Sequence, residues 1–216
     1  MRKLLPILIM TLAASTPAAA AQSAQMNFFL TSAGSGDGAN LGGLQGADQI
    51  CQDRAYAVGA GDLIWRAYLS AAASGGETAV NARDRIGDGP WYNYAGTMVA
   101  RDVDDLHSEN NLLGKENSLT ERGDQVNGRG DSPNMHDIIT GSTMDGMASD
   151  ADGDTTCENW TSNGSDGSAL VGHHDRVGGG QNPTSWNSAH ASRGCGQEDL
   201  QGTGGNGFFY CFGIGN

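Results

Sequence analysis

Apolar positions concentrate in two stretches, residues 26–100 and 208–214, separated by a long interval rich in Gly, Asp, Ser and Asn. Asn27-Phe28-Phe29-Leu30-Thr31 reads as a short aromatic strand, stopped by the turn-forming cluster Ser32 to Gly38. Ala47, Ile50, Cys51, Ala55 and Val58 recur at helical spacing, which predicts a helix from Gly46, ended by Gly59, with Cys51 on its buried face. Ile64 to Leu69 alternates as a second strand, and Ala82 to Ile86 suggests a short helical turn. Trp91 to Tyr94 and Thr97 to Ala100 suggest short extended pieces, and a last strand, Phe208 to Phe212, carries Cys211. The pattern predicts one α+β domain over residues 26–216, a scaffold whose ends meet, with residues 101–207 forming long surface loops.

Ahead of this domain, Met1-Arg2-Lys3 is basic, Leu4 to Ala13 is apolar and Ala18 to Ala21 is a run of small residues. That order predicts a cleaved signal peptide over residues 1–21, because the apolar stretch is too short to span a bilayer. No cysteine stands close behind it to take a lipid. Export, to the periplasm or beyond, places the chain where disulfides persist, so Cys51, Cys157, Cys195 and Cys211 read as two bridges. Spacing alone leaves all three pairings open. A Cys51–Cys211 bridge would be worth roughly 5 kcal/mol and a Cys157–Cys195 bridge roughly 4, by the entropy of the loops they close.

Charge narrows the partners. Losing the leader removes Arg2 and Lys3 and no acid, which takes the formal charge from -13 to -15 and leaves Lys115 as the only lysine. So acidic a surface argues against nucleic acid, heparin-like polyanions and anionic headgroups. The 34 glycines point to a loop-rich fold that needs bridges or a ligand to hold it.

Three motifs carry a resemblance. Leu41-Gly42-Gly43-Leu44-Gln45-Gly46-Ala47-Asp48-Gln49-Ile50-Cys51, then Trp65-Arg66-Ala67-Tyr68-Leu69-Ser70, and later Cys157-Glu158-Asn159-Trp160-Thr161 resemble segments of the endostatin domain of collagens fifteen and eighteen, in the same order. The resemblance implies a C-type lectin-like fold with nested bridges, Cys51–Cys211 and Cys157–Cys195. It also implies kinship with bacterial endostatin-like surface proteins that bind host matrix. Two family properties do not carry over. No histidine lies between Ala21 and Phe29 to supply the family's N-terminal zinc segment, and the nine arginines left after processing are scattered rather than clustered for heparin.

Several constellations suggest chemistry. Arg129-Gly130-Asp131 is the tripeptide that integrins read, held by Gly and Pro133 in a turn context, although Gly- and Asp-rich loops generate such strings readily. Asp150, Asp152 and Asp154 alternate, as carboxylates converging on calcium would, but Thr155 and Thr161 replace the Gly and Glu of a helix-loop-helix calcium site. Trp186-Asn187-Ser188 faintly resembles the Trp-Asn-Asp of calcium-dependent sugar lectins, with Ser188 in place of the charged ligand. His136-Asp137, His173-His174-Asp175 and His190 could supply a transition-metal site, weighed against a plain surface loop because adjacent histidines on a strand face opposite ways. No catalytic motif is present, so the expectation is a non-enzymatic binding module for extracellular protein or glycan, with no cofactor beyond a candidate calcium ion. A calcium-dependent lectin and a structural envelope or matrix component are the alternatives.

Overall fold

In the computed structural model, which describes residues 21–215, the chain forms many short elements; the expected signal peptide, save Ala21, lies outside the described residues. In chain order they are β1 (Phe28–Leu30), α1 (Gly43–Ala57), β2 (Ile64–Ala67), β3 (Trp91–Tyr92), β4 (Met98–Ala100), α2 (Val103–Leu106), β5 (Asp137–Ile139), β6 (Leu170–His173), β7 (His190–Ala191), α3 (Gln197–Thr203), β8 (Gly205–Phe208) and β9 (Tyr210–Ile214). A 3-10 turn spans Ala82–Asp84. The architecture is α+β, with one long helix and three small sheets among the described residues.

The first sheet has the order β1-β9-β2, all antiparallel. Both its faces are covered. Phe28, Tyr210 and Phe212 face a cluster with Tyr68, Trp91 and Trp186, while Phe29 and Cys211 face a second cluster with Leu41, Trp65, Trp160 and Leu200. Such a strand reads as a continuous apolar run rather than an alternating one, which is why Phe28-Phe29-Leu30 stood out in the sequence. Helix α1 lays Ala47, Cys51 and Ala55 on the second cluster and ends as expected, with Gly59 at φ +80. Gly46 is required by close approach, since a Cβ there would sit 2.0 Å from the Leu41 carbonyl oxygen. Asp48 then ties helix to sheet, accepting from the Ala67 N–H at 2.9 Å, from Arg66 at 3.0 Å and from Arg85.

The bridges are Cys51–Cys211 and Cys157–Cys195, separated by 160 and 38 residues, each with Cα atoms 5.6 Å apart. Both lie in the second cluster. They fit an oxidising, non-cytoplasmic environment. Among the described residues no helix is long and apolar enough to cross a membrane.

Two sequence expectations change. Phe208 to Phe212 is not one strand but the end of β8 and the start of β9, with Phe209 between them, so the chain passes from one sheet to the other. Residues 101–207 are also more than surface loops: they build the sheet β7-β6-β5-β8, and Ile138, Ile139, Val171, Trp186 and Leu200 enter the core. Those strands escaped the pattern because they are two to four residues long and mix apolar with buried polar side chains.

The segment Cys157–Trp160 is a left-handed turn, with φ of +51, +53, +55 and +68 in succession. L-residues pay about 1–2 kcal/mol each for that conformation, and the surroundings hold it. Asp154 accepts from the N–H groups of Thr156 and Glu158, both at 2.9 Å, and the Asn159 side chain bonds both the N–H and the carbonyl of Ala72. The Trp160 indole N–H reaches the Ser70 carbonyl at 2.7 Å.

Candidate functional site

The residues singled out by sequence fall in three different settings. Asp150 and Asp152 are exposed, and Asp154 turns inward to hold the left-handed turn, so the three carboxylates do not gather around one point. Among the described residues they form no group of ligand atoms within 4.8 Å of one another, and backbone N–H groups bind both oxygens of Asp154. Asp131 is likewise engaged, accepting from Lys115 and from the Gly128 N–H, and the lysine contact is the main cause of its lowered pKa. Arg129 stays exposed, but its backbone N–H is bound by Asp175. Trp186 is 3% exposed and packs between Tyr68 and Tyr210, with ring centroids 4.8 and 5.3 Å away.

Asn187 spends its carboxamide inside the protein. Its N–H groups donate to the Tyr68 hydroxyl and the carbonyls of Thr143 and Met144, at 2.9, 3.0 and 3.1 Å, while its oxygen accepts from Ser185. Its role is to lock the 143–144 loop against the core. In doing so it shapes a groove of about 370 Å³ whose walls come from residues 107–109, 144–145 and 181–187. Glu109, Asp145, Arg176, Gln181 and Asn182 line it, with the half-exposed Met144 beside them. At its base His107 accepts from the Tyr68 hydroxyl at 2.7 Å and donates through Nδ1 to the Val103 carbonyl. Burial is the main cause of the lowered His107 pKa, so the ring is held neutral.

No family model and no curated protein sequence matches this chain.

A second constellation lies behind one wall of the groove, and the strand register explains it. Asp137 at the start of β5 pairs with His173 at the end of β6, so both side chains occupy one face. His190 on β7 pairs with Val171, two residues before His173, and falls on that same face. His136 joins from just before β5, its ring stacked on His173 with centroids 4.3 Å apart. The Nε2 atoms of His136, His173 and His190 lie 3.2, 3.3 and 3.6 Å from one oxygen of Asp137. The side chains of His136, Asp137 and His173 are 5%, 2% and 0% exposed, and that of His190 is 26% exposed.

Each imidazole is oriented from behind. Nδ1 of His136 faces the Val177 carbonyl at 3.0 Å, Nδ1 of His173 the Pro183 carbonyl at 2.8 Å, and Nδ1 of His190 the Ala191 carbonyl at 3.1 Å. A carbonyl only accepts, so each Nδ1 carries a proton, and each Nε2 is directed at Asp137. Asp175 supports the set: burial alone would raise its pKa, but contacts with His136 and the N–H groups of Arg129 and Val177 outweigh burial and hold it well below the usual carboxylate range. For His173, burial would lower the pKa, yet Asp137 and the Pro183 carbonyl prevail and raise it. The sequence offers these histidines as candidate metal ligands without showing which of them share a face. The missing signal was β6, where Val171 and His173 share a face and His174 points away to the Asn127 carbonyl.

Proposed function

We infer that this chain is an exported, non-enzymatic binding module of endostatin-like, C-type lectin-like kind, which takes a polar extracellular ligand in the groove walled by residues 107–109, 144–145 and 181–187. The observation that supports this reading is the groove's make-up: amides, carboxylates and a guanidinium around a little apolar surface, on walls fixed by the Asn187 network. Such groups match the hydroxyls of a glycan or the backbone of a hydrophilic peptide. The order of the cysteines and of the three endostatin-type motifs supports the family assignment, and the nested bridges agree with it.

The test is retention of the purified domain on a glycan array and on a panel of matrix proteins, with calcium and with chelator. Asp145→Ala and Gln181→Ala alter exposed groove residues and should each weaken retention by about tenfold, the worth of one or two polar contacts. Retention on neither surface, or retention indifferent to both substitutions, overturns the reading. Retention that needs calcium would favour the lectin alternative, and self-association without a ligand would favour a structural component.

A further inference from the structure

We propose that His136, Asp137 and His173, whose ligand atoms all lie within 4.8 Å of one another, form a binding site for one transition-metal ion of the zinc type, built by two imidazole nitrogens and one carboxylate oxygen, with His190 beside it at the partly exposed edge. The site goes beyond the ligand-binding reading above and does not depend on it.

Asp137 carries the argument. Both its carboxylate oxygens are buried and make no hydrogen bond, although three ring nitrogens lie within ion-pair distance of one of them. A buried carboxylate without a donor is costly, and it persists in folded proteins when paired with a cation or bound to a metal. Three imidazole Nε2 atoms are directed at this carboxylate while each Nδ1 is bonded to a backbone carbonyl. The Nε2 atoms of His173 and His190 face each other at 3.0 Å, which leaves two acceptors opposed unless a proton or an ion lies between them. One shared proton satisfies a single pair. An ion held by His136, Asp137 and His173 satisfies the buried carboxylate as well.

The spacing fits. Ligands about 2.0–2.1 Å from a tetrahedral zinc ion lie roughly 3.3 Å from one another; the Nε2 atoms of His136 and His173 lie 3.2 and 3.3 Å from the Asp137 oxygen and all three ligand atoms lie within 4.8 Å of one another, so three protein ligands leave a fourth position open. Imidazole nitrogens in the majority exclude calcium and magnesium, which take oxygen. The carbonyl acceptors behind each ring are the arrangement that orients metal-ligating histidines. Gly178 and Gly180 make room for the rings: a Cβ at Gly178 would sit 2.2 Å from the His173 ring, and one at Gly180 would sit 2.8 Å from that of His190. The partial exposure of His190 gives the ion a way in.

An ion here would join β5 to β6 and, through the Pro183 carbonyl bonded to His173, steady one wall of the groove. The experiment is a calorimetric titration of chelator-treated protein with zinc chloride, checked by cobalt(II) absorption. One zinc per chain is expected, with an intense visible cobalt band of tetrahedral type that zinc abolishes and millimolar calcium does not. His190→Ala, at a partly exposed position the fold should tolerate, is expected to weaken zinc binding about 10–100-fold, the cost of losing a partner beside the ligands. Asp137→Asn should do the same, and Asp150→Asn/Asp152→Asn should change nothing. Folded protein that takes up no zinc, shows no tetrahedral cobalt band, or binds zinc equally well as His190→Ala and Asp137→Asn would overturn the proposal.

Discussion

Around β1-β9-β2 the protein buries aromatic and aliphatic side chains on both faces and crosses them with Cys51–Cys211, whereas the outer end of β7-β6-β5-β8 buries a carboxylate and two imidazoles and carries no bridge among its strands. In the first region apolar burial fixes the geometry, and a methylene more or less is what matters. In the second, backbone carbonyls and side-chain donors fix it, so orientation matters more than volume. One small domain thus uses two kinds of interior, and its candidate chemistry sits with the polar one.

The contrast breaks most visibly at the bridges. Cys51→Ala/Cys211→Ala should cost about 5 kcal/mol and Cys157→Ala/Cys195→Ala about 4, because the first closes the longer loop. Denaturant titrations of both variants check the order, and a larger loss for the inner pair would mean that the left-handed turn, not loop entropy, governs the bridges' worth. Next in size, Asp48→Ala should cost about 2–3 kcal/mol, since it strands Arg85 and the Ala67 N–H beside the first sheet. A loss below 1 kcal/mol would show that this region's polar ties are incidental to its packing.

Glu158→Gly should act in the opposite direction. Glu158 is exposed and holds φ +53, so glycine relieves about 1 kcal/mol of backbone strain and should raise the melting temperature. Any fall in stability would locate a contact of the Glu158 side chain that matters more than the strain. The smallest effect concerns His107. Its folded pKa is lowered by burial, so the unfolded chain binds its proton first as pH falls. This residue's contribution is therefore complete above the ordinary histidine pKa of about 6.5 and is lost as pH drops below it towards the folded value. An NMR titration should place the His107 midpoint below that of free histidine, and a midpoint above it would mean that the ring at the base of the groove is charged and available to a ligand.

How much of this was legible depended on which interior a segment joined. Strand β1, helix α1 and strand β2 were visible because their apolar residues repeat at strand or helix period, and the family order of the cysteines pointed to the correct bridges. Strands β5, β6 and β7 were not, because Asp137, His173 and His190 look like loop residues until cross-strand pairing places them on one face. Asp150, Asp152 and Asp154 show the opposite case. Their spacing suggested a shared ion, but Asp154 belongs to the turn that follows it, and hydrogen bonding to a nearby backbone leaves no periodic trace.

The position of β9 has a consequence in time. It is the middle strand of its sheet, yet both its neighbours were made far earlier in synthesis, β1 some 180 residues before it. Until Tyr210–Ile214 emerges, β1 and β2 have no strand to pair with and Cys51 has no partner, while Cys157 and Cys195 are already present. The nascent chain therefore passes through an interval in which Cys51 can be oxidised only onto the wrong thiol. Pairing at such sequence distance is slow, so correct maturation favours a compartment that reshuffles disulfides over one that merely forms them, and a chain oxidised too early should be recovered by an isomerase rather than by time alone.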